Sequence, residues 1–254
     1  MSTAIYIFIF GLIVGSFLNV VIYRLPEGQS IIKPPSHCPQ CKTKLKTFDL
    51  IPVLSYLAAG GKCRYCGSKI SFQYPFVELL TGFFFSFTYL KFGISVELFI
   101  MLLLISALIV ISYIDYKYMI IPNYITYPGI VIGFLSAIIF NYISIFDSLL
   151  GIFIPSLLLL LIAFIFKGGM GMGDVKLAAM LGSFLGFEMT LAGIFVGSLL
   201  GSVIGLTLMG FGVLDRKSRI PFGPFICIGT VIIIFFGDVL FDWYLSLFFW
   251  LITG

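Results

Sequence analysis

The chain has 254 residues, of which 60% are hydrophobic and 10% are charged, and its formal net charge is +4. Soluble domains carry about 25% charged residues, so this composition excludes an ordinary soluble protein and indicates an all-α polytopic membrane protein. Apolar runs of near 20 residues can cross a bilayer as helices. About eight such runs leave room for one modest extramembrane segment, and we expect neither a second large domain nor a nucleic-acid partner.

The apolar runs predict the transmembrane helices in chain order. The predicted spans are about 4–23, 75–90, 95–114, 123–141, 145–166, 176–187, 189–213 and 221–237. The first run has no basic segment ahead of it and Arg24 after it, which indicates a retained span rather than a secretory signal. The sixth is too short to cross a bilayer unaided, so we predict a broken or recessed helix there. Residues 240–252 are either the tilted end of the eighth span or an interfacial piece.

This pattern divides the chain into three parts. We predict a first transmembrane helix at 1–23, a small loop domain at 24–74, and a membrane-embedded remainder at 75–254.

The positions of the basic residues predict the orientation. If the loops alternate sides, 14 of the 15 Lys and Arg residues fall on one side and only Lys91 lies opposite. Cytoplasmic loops carry the excess of Lys and Arg, so we place that side in the cytoplasm and the N-terminus outside. The alternation also requires a tight turn at Gly186-Phe187-Glu188.

Four cysteines between the first two spans form two matched pairs. Cys38-Pro39-Gln40-Cys41 and Cys63-Arg64-Tyr65-Cys66 have 21 residues between them. This spacing is typical of a tetrahedral site with four thiolates, which would be structural zinc. A redox dithiol is the alternative, and a reducing cytosol disfavours it. A loop this small needs such a staple to fold, whereas the fifth cysteine, Cys227, lies alone in an apolar span and is interpreted as packing.

A glycine-rich loop precedes the sixth span. It reads Gly168-Gly169-Met170-Gly171-Met172-Gly173-Asp174. Glycine permits positive φ and close approach of another backbone, such as an extended peptide, and exposed backbone at a membrane edge must line a cavity. Asp174 is therefore a functional candidate, although it could simply start the next helix favourably.

Asp115 ends the third span on the same predicted side and depth as Asp174. Two neighbouring carboxyls can share one proton, so that one takes a proton from water while the other polarises a carbonyl. The alternative for Asp115 is a helix-terminal charge balanced by Lys117. Glu78, inside the second span, is expected to pair with a basic group, although a functional role is the alternative.

Taken together, these residues resemble the bacterial type IV prepilin leader peptidases of the GxGD class of membrane aspartyl proteases. The resemblance spans nearly the whole chain and rests on the following motifs: Gly15-Ser16-Phe17-Leu18-Asn19-Val20-Val21-Ile22-Tyr23-Arg24-Leu25-Pro26, the cysteine pairs, Ile51-Pro52 with Ser55, Tyr74-Pro75 with Glu78, Asp115 with Pro122-Asn123, and Gly171-Met172-Gly173-Asp174-Val175-Lys176-Leu177.

The resemblance implies a membrane enzyme of the cytoplasmic face. It would cleave the leader of prepilin or pseudopilin precursors with Asp115 and Asp174 as its catalytic pair, and residues 75–254 would be the peptidase domain. A loop containing Gly171, Gly173 and Lys176 would position the substrate. The resemblance alone implies N-methylation of the new N-terminus with S-adenosylmethionine as donor.

Two other functions remain open on the sequence alone. A proton- or cation-coupled transporter could use the two aspartates and a helix broken by glycines, although transporters commonly contain internal repeats and no convincing repeat occurs here. A zinc-stapled membrane scaffold would account for the cysteines but not for the glycine loop. Neither the oligomeric state nor the donor-binding residues follow from the sequence.

Overall fold

The fold is described here from a computed structural model, which covers residues 2–166, 170–213, 215, 218 and 220–253. Within the last helix, side chains beyond Trp243 are described only at Ser246. Six residues named in the predictions above, or counted among the basic residues, lie outside the described part of the chain. They are Lys167, Gly168, Gly169, Arg216, Lys217 and Arg219.

Every regular element in the described residues is helical, which confirms the all-α prediction. The α-helices are α1 (Ser2–Arg24), α2 (Leu54–Ala58), α3 (Gln73–Phe92), α4 (Val96–Tyr118), α5 (Asn123–Phe140), α6 (Ile145–Ile165), α7 (Met172–Gly210) and α8 (Gly223–Thr253). A single 3₁₀ turn spans Thr47–Leu50. The apolar stretch 240–252 continues α8 without a break.

Six of these helices are long and apolar enough to cross a membrane: α1, α4, α5, α6, α7 and the first part of α8. Two features account for the difference from the predicted eight. Helix α3 is long enough at 20 residues but carries Glu78 and Lys91, and it is not among the six. Helix α7 contains a residue with non-helical backbone angles at Gly186, so its 39 residues comprise the two predicted segments. The first segment, residues 172–185, is about 21 Å long at 1.5 Å per residue. It is therefore shorter than the hydrocarbon core of a bilayer, which is roughly 30 Å thick.

The Gly186 break is capped by residues at and just before the start of α6. Gly186 has φ of 77° and ψ of −173°, a conformation that residues with a Cβ avoid. The broken helix leaves the Phe187 N–H without its helical acceptor, and Asp147 Oδ1 accepts it at 3.0 Å. The freed carbonyls of Ser183 and Phe184 accept from Ser148 Oγ and Tyr142 OH at 3.0 and 2.9 Å. The helix is therefore interrupted at the position where the sequence predicted a tight turn.

The chain separates into two compact units, Met1–Val110 and Ile111–Gly254. In unit 1, α1 and α3 pack so closely that a Cβ on Gly11 would lie 2.7 Å from Gly82 Cα. Small residues of this kind let helix backbones approach each other, which is how membrane helices gain packing energy without a hydrophobic driving force.

Unit 2 is held together by the same device. Gly182 of α7 lies against the Gly151 carbonyl of α6, and a Cβ at Gly182 would overlap that backbone. Helices α7 and α8 meet where a Cβ on Gly197 would lie 2.5 Å from the Phe225 carbonyl oxygen. These contacts fix α7 between its two neighbours, and α7 carries Asp174.

Replacing Gly182 by alanine should destabilise the protein, because the new methyl group meets backbone that cannot rotate away. Overpacking costs about 1–3 kcal/mol or more, which thermal unfolding in detergent would report as a lower Tm. The control is Gly210→Ala in the same helix, where the added Cβ meets nothing within 4 Å. That change should be neutral or stabilising by up to about 1 kcal/mol, and equal Tm values for the two variants would contradict the described packing.

Candidate functional site

Asp115 lies in the last turn of α4 and is 6% exposed. Its Oδ2 accepts a hydrogen bond of 2.9 Å from the Gly223 N–H at the start of α8. The first N–H groups of a helix have no partner within the helix, so this carboxylate satisfies one of them. A Cβ on Gly223 would lie 2.6 Å from Asp115 Oδ2, which explains why this position has no side chain.

Asp174 lies in the first turn of α7 and is also 6% exposed. Its Oδ2 accepts the Gly171 N–H at 3.2 Å, and its own N–H donates to the Gly171 carbonyl at 3.1 Å. Asp174 therefore does start the next helix, as the simpler interpretation expected. This contact does not satisfy the whole carboxyl, because an ionised carboxylate has about four acceptor positions.

The structure brings both aspartates into unit 2, where they interact electrostatically. Ile121 links their surroundings: it lies 2.9 Å from the position that a Cβ on Gly173 would occupy and 3.2 Å from the equivalent position on Gly223. Among the residues with described side chains, neither acid takes part in an ion pair. The expected partner of Asp115, Lys117, instead places its Nζ 5.2 Å from the Tyr118 ring centroid.

Of the two described glycines of the loop, Gly173 is required for space rather than for backbone angle. Gly171 has extended angles, φ −82° and ψ 145°, and Gly173 has helical geometry with no room for a Cβ beside Ile121. Positive φ, which the sequence made possible, does not occur at either of these two positions. Close approach, the other property of glycine, does occur at Gly173.

Lys176 connects the start of α7 to α5. Its Nζ donates to Asn123 Oδ1 at 2.9 Å and lies 5.3 Å from the Tyr127 ring centroid. A cation over an aromatic face contributes about 0.5–1 kcal/mol at an exposed site. Lys176 therefore stabilises the arrangement of the two helices and makes no ion pair with either aspartate.

Two residues of this site were not identified from the sequence. Gly223 lay unremarked in the predicted span 221–237, and Ile121 lay unremarked beside the Pro122-Asn123 motif. Both act through contacts with residues distant in the chain, which one sequence does not reveal.

In unit 1, the two cysteine pairs form matching turns. In each, the first cysteine N–H donates to the carbonyl five residues on, Cys38 to Thr43 and Cys63 to Ser68, at 3.0 and 2.8 Å. The residue four positions after that cysteine has positive φ, 58° at Lys42 and 71° at Gly67. The two turns present their thiols to one another.

The four sulfur atoms of Cys38, Cys41, Cys63 and Cys66 all lie within 4.8 Å of one another, so this cluster could hold a metal ion. Burial would raise the pKa of Cys38, but the N–H groups of Cys41 and Gln40 and the neighbouring thiols stabilise its thiolate and lower that pKa to about 6. Hydrogen bonding from the Ser68 side chain likewise lowers the pKa of Cys66. Thiolate is the form that binds metals.

Asp49 holds the second cysteine turn in place. It accepts from Tyr65 OH at 2.8 Å and pairs with Arg64 at 3.5 Å. The Lys46 N–H and the Tyr65 hydroxyl hold the pKa of Asp49 below its usual value. His37 contacts the Pro35 carbonyl at 3.0 Å, as expected for a loop histidine.

Glu78 of α3 has a different partner from the one expected. It accepts the Val53 N–H at 2.7 Å. Among the residues with described side chains, it has no basic partner. Nearby, Asn19 donates to the Tyr74 carbonyl at 3.0 Å. We call Asn19, Val53 and Glu78 the Glu78 cluster.

Comparison with known proteins gives matches over most of the chain. Residues 9–92 match the bacterial peptidase A24 N-terminal domain, and residues 102–206 match the type IV leader peptidase family. The chain is 40% identical over 245 residues to the prepilin leader peptidase/N-methyltransferase of Bacillus subtilis. The aligned region covers 95% of this chain and 97% of that protein.

Relatives with the same description occur in Legionella pneumophila and Pseudomonas aeruginosa. They are 34% and 32% identical to the chain, over 94% and 93% of its length and 93% and 91% of their own. No solved structure gives a significant match.

Proposed function

The chain belongs to the type IV leader peptidase family, and from that premise we propose that it cleaves the leader of type IV prepilin-like precursors at the membrane and methylates the new N-terminus. The membership confirms the resemblance found in the sequence motifs. One observation carries the proposal for cleavage: two buried, interacting carboxyls, each bonded to a glycine N–H, with no ion-pair partner among the residues with described side chains.

Asp115 and Asp174 are proposed as the catalytic pair. In each carboxyl the bond from glycine uses Oδ2, which leaves Oδ1 for the water or the substrate carbonyl. We propose that the two carboxyls approach closely enough to share one proton, because two like charges at short range cannot both ionise readily. The absence of an ion-pair partner among the residues with described side chains favours this shared state.

The proposed reaction is acid–base hydrolysis of an amide. The ionised carboxylate takes a proton from water as the oxygen attacks the peptide carbonyl carbon, while the protonated carboxyl hydrogen-bonds to the carbonyl oxygen. A proton then passes to the leaving nitrogen as the C–N bond breaks. Such proton transfer contributes about 10²- to 10⁴-fold in rate, and no covalent enzyme intermediate forms.

We propose that the substrate reaches this pair across the glycine loop. Gly171 has extended backbone and no side chain to obstruct an extended peptide, whereas the absence of a side chain on Gly173 lets Ile121 pack against the loop. The Lys176–Asn123 bond holds α7 against α5 beside them. The substrate's apolar helix would lie in the bilayer, with its cleavage site at the membrane edge.

We place this edge on the cytoplasmic side, with the N-terminus outside, in a bacterial inner membrane. The support is the distribution of basic residues: 14 of 15 fall on one predicted side when α3 and both segments of α7 are counted as crossing the membrane. The division into a first helix at 1–23, a metal-binding loop domain at 24–74 and a peptidase domain at 75–254 is part of the same proposal.

Structural zinc is the proposed occupant of the cysteine cluster. With Zn–S bonds of about 2.3 Å, the sulfurs of a tetrahedral site lie about 3.8 Å apart, and Cys38 Sγ and Cys66 Sγ are 3.9 Å apart. Four protein thiolates leave no open coordination position, so the metal would hold the two turns together rather than act on substrate.

The methyltransferase activity is proposed from the names of the relatives. S-adenosylmethionine would supply the methyl group from its sulfonium sulfur. The amine nitrogen would form a new N–C bond to this methyl group and release one proton, and the sulfur would leave as a neutral thioether. The alternative of a cation-coupled transporter receives no support from the family membership.

Replacing either aspartate by asparagine should abolish cleavage, because an amide can neither take the proton from water nor share one with its neighbour. We expect Asp115→Asn and Asp174→Asn each to lower kcat/KM at least about 100-fold, measured on a purified prepilin. Asp242→Asn, an exposed position on α8, is the matched control and should cleave normally. Full cleavage by either Asp115→Asn or Asp174→Asn would refute the paired-acid mechanism.

Metal analysis of the purified protein should give about one zinc per chain. The double variant Cys38→Ser and Cys63→Ser should lose the zinc and become sensitive to proteases between residues 24 and 74, because the loop then lacks its staple. Cys227→Ala, which removes a cysteine outside the cluster, should retain the metal. Zinc-free wild type with a protease-resistant loop would disprove the assignment.

A further inference from the structure

The Glu78 cluster lies between α1 and α3 in unit 1 and has no role in the chemistry of the aspartates. Glu78 and Asn19 are 7% and 2% exposed. Burying polar groups without partners costs free energy, so a cluster of this kind requires a reason.

The two helices place Asn19 and Glu78 near one another. A Cβ on Gly15 would lie 2.7 Å from Glu78 Cα, and one helical turn further along α1 Asn19 bonds to the Tyr74 carbonyl, one turn before Glu78 on α3. Helical side chains lean toward the N-terminus of their own helix. The Glu78 carboxyl therefore leans toward the level of Asn19.

A strained turn lies against this carboxyl. Val53 has φ of 60° and ψ of −51°, and Leu54 N–H donates to the Pro52 carbonyl at 2.6 Å, which together define a γ-turn with positive φ. Such turns are rare and strained, and for a β-branched residue positive φ is an outlier. Strain of this kind concentrates at functional sites, and here the Glu78–Val53 bond maintains it.

The unused hydrogen-bonding positions of the cluster are all acceptors. Asn19 uses its Nδ2 as a donor to Gly15 and Tyr74, and its buried Oδ1 has no partner among the described residues. Glu78 receives the Val53 N–H, against about four acceptor positions on a carboxylate. The matching ligand carries several N–H donors and a positive charge.

We propose that Asn19 Oδ1 and the Glu78 carboxylate bind the primary α-ammonium group of a methylation reactant. This inference rests on the methyltransferase activity proposed above and places one of its reactants in unit 1. Two reactants carry this group: the methionine end of S-adenosylmethionine, and the new N-terminus of the cleaved precursor. The Val53 turn would cover the site.

Glu78→Gln separates the two roles of this residue. Its amide oxygen can still accept the Val53 N–H and hold the turn, whereas the negative charge is lost. Asn19→Ala removes the unpartnered acceptor. Thr88→Val is the matched control. It removes a buried hydroxyl of α3 that lies outside the cluster and bonds only to the Phe84 carbonyl of its own helix.

Binding would be measured calorimetrically on the full-length enzyme in lipid nanodiscs. One arm titrates S-adenosylmethionine, and the other titrates a short peptide beginning with phenylalanine, with its N-acetylated form as reference. We expect Glu78→Gln and Asn19→Ala to weaken one of these ligands at least 10-fold and to reduce methyl transfer, while prepilin cleavage stays within 2-fold of wild type. Thr88→Val should change neither ligand.

The outcomes distinguish the reactants and the proposals. Weakened S-adenosylmethionine with unchanged peptide identifies the donor's ammonium, and weakening confined to the free-amine peptide identifies the substrate amine. Unchanged binding of both would overturn the assignment of the Glu78 cluster and leave the proposed activities standing. Wild type that neither binds the donor nor transfers methyl would overturn the second activity and this site together.

Discussion

Two buried carboxyls without ion-pair partners among the residues with described side chains are the constraint on which unit 2 depends. Asp115 accepts the Gly223 N–H at the start of α8, and Asp174 accepts the N–H of Gly171, the residue just before α7. An isolated buried charge is costly, which is the reason for proposing one shared proton rather than two charges. Acid–base hydrolysis requires that same state. The cost of burial and the proposed chemistry therefore have a common origin.

Glycine makes this arrangement possible both at the aspartates and in the helix packing along α7. At the site, Gly173 and Gly223 leave the space that Ile121 and the Asp115 carboxyl occupy. Farther along α7, Gly182 and Gly197 bring the neighbouring helices into backbone contact. In a bilayer the lipid is as apolar as the side chains, so close packing is what fixes the helices. The position of Asp174 thus depends on contacts far along the same helix.

Local patterns made much of this predictable. Cysteine spacing predicted the cluster, and the alternation of basic loops predicted a turn at the position where α7 is interrupted, Gly186. Glu78 was expected to pair with a basic group, yet its partner is the Val53 N–H. Such partners depend on where a distant turn comes to lie, which a single sequence does not encode locally. The same reason explains why Gly223 went unrecognised beside Asp115.

An experimental structure of the full-length enzyme in lipid would test the central claim most directly. The bound ligand would be a prepilin peptide in which a hydroxyl-bearing carbon replaces the scissile carbonyl. The account predicts that the carboxyls of Asp115 and Asp174 both contact that hydroxyl, each within about 3 Å. A hydroxyl held by only one of them, or carboxyls facing opposite sides of the membrane, would contradict it.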